Sequence, residues 1–147
     1  MDDGICPTGA SRLRRLLSHG GPVLAYAALI FYLSSLSRFP EPVSFDFGFD
    51  KVAHFAEYFL FGALLYRWVF QAGVCSARWC VLGISIFIGT LYALGDEWHQ
   101  SFVPGRDASL WDVLFDVFGV GAGAAAFPAI RGKLSSVRRR LPGEDLP

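Results

Sequence analysis

Four apolar segments, set apart by charged and turn-forming residues, predict an all-α protein: an integral membrane four-helix bundle with both termini cytoplasmic. Three observations carry the prediction. The chain is 53% hydrophobic and 18% charged over 147 residues, with 14 Phe and a mean hydropathy of +0.40, more apolar than a soluble core of this size needs. Its segments approach the roughly 20 apolar residues that cross a hydrocarbon core of about 30 Å. Its 13 Lys and Arg are distributed unevenly among the loops. The same figures exclude other classes. A net charge of zero offers no general attraction for nucleic acid, and disordered chains are far less apolar. Three Cys without paired spacing indicate neither a disulfide scaffold nor a Cys-based zinc site.

The first span covers about residues 16–37. It follows Arg12, Arg14 and Arg15, and its centre, VLAYAALIFYL, is uncharged. A secretory signal peptide has the same basic-then-apolar order, but SLSRFPEP closes the run without a good cleavage site, so an uncleaved helix is expected. The second span, about 51–70, is apolar except for His54, Glu57 and Arg67. The third, about 78–94, has no Asp, Glu, Lys, Arg or His after Arg78, and the fourth, about 110–130, carries only Asp112 and Asp116. The expected organisation is a cytoplasmic segment 1–15, a transmembrane domain 16–130 and a basic cytoplasmic tail 131–147.

Orientation follows from the basic residues. With both termini inside, ten face the cytoplasm (Arg12, Arg14, Arg15, Arg67, Arg78, Arg131, Lys133, Arg138, Arg139, Arg140) and three face out (Arg38, Lys51, Arg106). That is a positive-inside bias. Nine acids lie at the outer side: Glu41, Asp46, Asp50, Glu57, Asp96, Glu97, Asp107, Asp112 and Asp116. Cys6, Cys75 and Cys80 fall on the inner side, where reduced structural thiols are expected. Arg138 to Arg140 read as a topology anchor or a contact for anionic lipid.

Three segments break the apolar pattern near the outer face. In DKVAHFAEYF, Asp50, His54 and Glu57 follow i, i+4, i+7 spacing, one stripe along a helix. Lipid cannot solvate such a stripe, so it should face the bundle interior or a water-filled pocket. In DEWHQSFVPGRDASLWD, Asp96 and Gln100 lie one turn apart, Pro104-Gly105 makes a turn, and Arg106 is placed to fold over the acids. Ser109 is a candidate N-cap with Asp112 as its capping-box acid. Asp112, Asp116, Gly119 and Gly123 continue one face from acid to glycine, and Gly119 and Gly123 form a small-xxx-small pair suited to close helix packing. Asp50, Lys51, Asp96 and Asp107 also read as interfacial side chains that snorkel to water.

The motifs D-K-x-x-H-x-x-x-Y (Asp50, Lys51, His54, Tyr58), D-E-x-x-Q (Asp96, Glu97, Gln100), P-G-R (Arg106) and D-x-x-x-D-x-x-G (Asp112, Asp116, Gly119) occur in this order. In this combination they resemble the VanZ-like family of small bacterial membrane proteins over about Asp50 to Gly123. Asp116 stands where many members have Asn. The resemblance implies a multi-pass protein of the bacterial cytoplasmic membrane, in a family whose founding member is associated with low-level resistance to the glycopeptide teicoplanin. Some relatives carry the label phosphotransbutyrylase, for which this sequence has no phosphate-binding glycine loop.

Two functional classes stay open. One is a non-enzymatic envelope protein whose polar pocket engages a cell-wall precursor or glycopeptide, with Lys51 and Arg106 holding an anionic group and Trp98, Phe102 and Trp111 at the lipid interface. The other is a membrane-embedded hydrolase or transferase acting on a lipid head group, using Glu57, Asp96, Glu97, Asp112, Asp116, His54 and His99 for acid–base chemistry. No pair has a diagnostic metal-ligand spacing, and no cofactor is strongly indicated. A third reading, proton-linked transport, requires a homo-oligomer because four short helices leave little room for alternating access. The expected partners are the bilayer and an amphiphilic ligand.

Overall fold

The computed structural model describes residues 9–36, 47–106 and 108–140. Cys6, Arg38, Glu41, Asp46, Asp107 and the end of the basic tail lie outside the described residues, as do the side chains of Asp50, Lys133 and Arg138 to Arg140. The described chain forms four α-helices and no strand: α1 (Gly9–Ser34), α2 (Phe47–Ala72), α3 (Arg78–Gln100) and α4 (Leu110–Arg140).

α1, α3 and α4 are long and apolar enough to cross a membrane. α2 has 26 residues but does not meet that measure of apolarity; it carries Lys51, His54, Glu57, Arg67 and Gln71. Its position in the fold accounts for this. α2 packs against each of the other three helices, so protein rather than lipid surrounds much of its polar stripe. The whole is a membrane protein with α2 as its inner helix. Leu24, Phe87, Leu91 and Phe118 point outward, as a lipid-facing exterior requires.

The helices run alternately up and down. The C-terminal ends of α1 and α3 meet through Ser34 and Gln100, and the N-terminal ends of α2 and α4 meet through Lys51 and Asp112. α2 and α4 therefore run parallel to each other, and they make the closest contact in the bundle. A methyl group built on Gly119 would stand 2.6 Å from the Phe55 carbonyl oxygen and 3.1 Å from Tyr58 Cβ. One built on Gly123 would overlap the Phe59 carbonyl, and one on Gly62 would overlap the Val120 backbone. Only glycine permits this approach. Around the seam lies a core of Val23, Ile30, Tyr58, Phe61, Leu65, Ala93 and Val120, continued by Tyr66, Val69, Val81 and Ala124.

α2 ends at Gly73, whose φ of +67° is the left-handed conformation common just beyond a helix C-terminus. Cys75 in the following loop and Cys80 in the first turn of α3 are joined as a disulfide with Cα atoms 6.2 Å apart. The expectation of reduced thiols is corrected here: the short α2–α3 turn brings the two side chains face to face. Between α3 and α4, Arg106 N–H donates to the Val103 carbonyl at 3.1 Å and Gly105 has φ +81°. This is a turn with Pro at its second position and glycine at its third.

Candidate functional site

The polar residues gather at one end of the bundle, where α1 and α3 finish and α2 and α4 begin. α3 continues past Leu94, where the apolar span ends, through Asp96, Glu97 and Gln100, and all three are buried. Their partners come from other helices. Asp96 Oδ2 accepts from Ser34 Oγ at 2.9 Å, from Gln100 Nε2 at 3.0 Å and from Tyr58 O–H at 3.3 Å. Gln100 Nε2 also reaches Ser34 Oγ at 3.3 Å. One oxygen is thereby held by donors from α1, α2 and α3.

Beside this lie two side-chain contacts between α2 and α4, an ion pair and a His–carboxylate hydrogen bond. Lys51 Nζ donates to Asp112 Oδ1, with both side chains 7% exposed. His54 Nδ1 and Asp116 Oδ1 lie 3.0 Å apart, and an ionised Asp116 only accepts, so Nδ1 carries the proton of that bond. Glu57, one turn further along α2 on the same face as His54, has its Oε1 buried. His54, Glu57, Tyr58, Asp96, Glu97, Gln100, Asp112 and Asp116 thus converge on one region. The side chain of Asp50 is outside the described residues.

Two expected roles are corrected. Ser109 caps α4, accepting from Trp111 N–H at 3.3 Å, but Asp112 does not return to the Ser109 backbone as a capping-box acid. Lys51 takes that carboxylate, and the Ser109 N–H donates to Glu97 Oε1 instead. A buried ammonium requires a counter-charge more than a helix end requires a second cap. Arg106 forms no ion pair with the acids among the described residues. Its guanidinium donates to the carbonyls of Leu33 (2.9 Å), in the last turn of α1, and Leu36 (3.3 Å), just beyond it.

Several participants have no sequence signal of comparable strength. Ser34 is one of two serines closing an apolar helix. Ser35 Oγ lies 3.0 Å from His99 Nε2, and Phe31 stacks on the His99 ring at 4.4 Å. Tyr92 O–H donates to the Ala27 carbonyl at 2.6 Å, and Tyr26 O–H to the Glu57 carbonyl at 3.1 Å. Gly62 completes the α2–α4 seam from the other side. The phenols at the ends of long, otherwise apolar side chains are the one hint, since buried Tyr O–H groups seek partners.

The cluster is well bonded yet incompletely satisfied. Glu57 Oε1, Asp96 Oδ1, Glu97 Oε2 and Asp116 Oδ2 are buried with no hydrogen-bond donor among the described residues. Among the described residues, no three His, Cys, Asp or Glu side chains are grouped as a metal ion requires. The arrangement can accept protons or donor groups at several points, and it holds a His–carboxylate pair.

A family model described as VanZ/LLP1 matches residues 14–131. The chain belongs to this family. The VanZ/LLP1 match takes in nearly all of α1, the whole of α2 and α3, and the part of α4 that carries Asp112, Asp116 and the glycine seam. Every residue of the polar cluster lies inside it. No curated protein and no solved structure matches the chain.

Proposed function

We propose that this VanZ/LLP1-family protein sits in the bacterial cytoplasmic membrane and uses the polar cluster, at the outer face, to engage the head of a lipid-associated envelope molecule. The ligand class is a cell-wall precursor or a glycopeptide of the teicoplanin type, and the outcome is reduced glycopeptide susceptibility. The observation that carries this reading is the set of four buried carboxylate oxygens without donors among the described residues. Lys51 and Arg106 are engaged within the protein, so the open capacity is for a group that donates hydrogen bonds, such as an amine or amide. An anion held by Lys51 and Arg106, as the residue types imply, fits less well. Trp98, Phe102 and Trp111 are exposed around this end, where aromatic rings suit the lipid interface beside an acyl tail.

The test is teicoplanin susceptibility of cells expressing wild type, Glu57→Gln or Glu97→Gln at matched membrane levels. Each substitution removes one charge-assisted acceptor worth about 1.5–3 kcal/mol, so binding should weaken about 10- to 100-fold and the protection should disappear. Protection unchanged in both variants would sink the reading.

A second reading rests on the His54–Asp116 bond: acid–base chemistry on a lipid head group, with Asp116 orienting the imidazole. Purified protein turning over a lipid phosphate, with that turnover lost in His54→Gln, is the expected result under this reading. Reproducible inactivity with and without Mg²⁺ counts against it.

Sidedness is tested directly by reporter fusions. The positive-inside bias puts Gly105 outside and Gly73 and the C-terminus in the cytoplasm. The Cys75–Cys80 bond ties the Gly73 loop to the first turn of α3, and disulfides persist in oxidising compartments, which favours the opposite side for that end of the bundle. A cytoplasmic Gly105 signal removes the outer-face site.

A further inference from the structure

At the end of the bundle opposite the polar cluster, α2 and α4 line a groove. Its walls follow helical spacing. Tyr66 and Phe70 lie one turn apart on α2; Phe127 and Arg131, and beside them Pro128 and Gly132, lie one turn apart on α4. The volume of this open groove is about 280 Å³, near the lower end for ligand sites. Tyr66 and Phe127 rings face each other at 5.9 Å, and Pro128 and Gly132 keep the α4 side free of long side chains. A methyl group on Gly132 would meet nothing within 4 Å.

The one charge on this groove is Arg131. It is exposed, its guanidinium carbon lies 5.2 Å from the centre of the Phe70 ring, and it pairs with no carboxylate among the described residues. It also stands just past the last apolar residue of the α4 run, Ile130, with Lys133 two residues further on, the level at which lipid head groups are expected to begin. α4 then continues into Lys133, Arg138, Arg139 and Arg140.

We propose that this groove is a binding site for one anionic phospholipid, with a segment of acyl chain against Tyr66, Phe70 and Phe127 and the phosphate on Arg131. The lining is apolar where a chain would lie and cationic where a phosphate would lie, and guanidinium is the side chain best matched to phosphate oxygens. A second copy is the weaker occupant, because a two-fold contact here brings two Arg131 groups together.

The experiment is native mass spectrometry of the full-length protein in detergent with added phosphatidylglycerol or phosphatidylcholine. Wild type should retain phosphatidylglycerol in preference. Arg131→Gln should lower that retention about fivefold, the equivalent of about 1 kcal/mol for one basic residue at a lipid surface. Gly132→Phe fills the groove from a position with open space and leaves every charge in place; it should lower retention comparably with an unchanged melting temperature. Equal retention of the two lipids by wild type overturns the proposal, as does full retention by Arg131→Gln. Full retention by Gly132→Phe assigns the lipid to the basic tail and overturns the groove.

Discussion

Alanine at Gly62 or Gly123 should disrupt the bundle. A single added carbon at either site overlaps main-chain atoms of the facing helix, Val120 for Gly62 and Phe59 for Gly123. Backbone cannot rotate aside as a side chain can, so α2 and α4 must separate along their whole contact. Overpacking of this kind costs typically about 1–3 kcal/mol and occasionally more, and a clash with main chain on both sides of one seam belongs at the upper end. Thermal unfolding in detergent should show a large drop for each variant. Gly83→Ala and Gly95→Ala are the matched controls: both lie in α3 with nothing within 4 Å of the added carbon. They should be neutral or stabilise by up to about 1 kcal/mol through helix propensity. Equal behaviour of the two groups would mean that the helices do not meet at this seam.

The second large effect is expected at the Lys51–Asp112 pair. With both side chains 7% exposed, removing one partner strands a charge away from water. Lys51→Met should destabilise by about 3–5 kcal/mol. Lys51→Met combined with Asp112→Leu leaves neither charge behind and should recover most of the loss, because a buried pair contributes little net stability over apolar residues of similar size. A double mutant that is no better than the single would show that Asp112 is held by something other than Lys51. If the double mutant folds but loses protection against glycopeptide, the pair serves the ligand site as well as the fold.

How far such residues could be read in advance depended on whether their partners were local. The apolar spans are local, since about 20 residues of one character declare a helix wherever it packs. The Asp50, His54, Glu57 stripe and the Asp96–Gln100 step are local too, because helical spacing alone places them on one face. The helix ends are less so. The apolar stretch before Asp96 stops at Leu94, yet α3 carries on for six residues because Ser34 and Tyr58, from other helices, satisfy what the hydrophobic pattern treats as a boundary. Arg106 shows the same limit. Its charge points to the acids, but its guanidinium bonds the carbonyls of Leu33 and Leu36 around the end of α1, and no spacing within the α3–α4 loop reveals them. The Cys75–Cys80 contact depends on how sharply one loop turns, which a count of cysteines does not disclose.

The Asp96 oxygen that receives Ser34, Tyr58 and Gln100 has one more effect, on depth. Helices in lipid have little to stop them sliding along one another, since an apolar side chain is as comfortable a few ångströms higher or lower. A slide of one residue is about 1.5 Å, and a hydrogen bond of 2.9–3.3 Å does not survive it. Three helices tied to a single atom therefore share one vertical address, and whatever stands at the mouth of the cluster meets α1, α2 and α3 always at the same level.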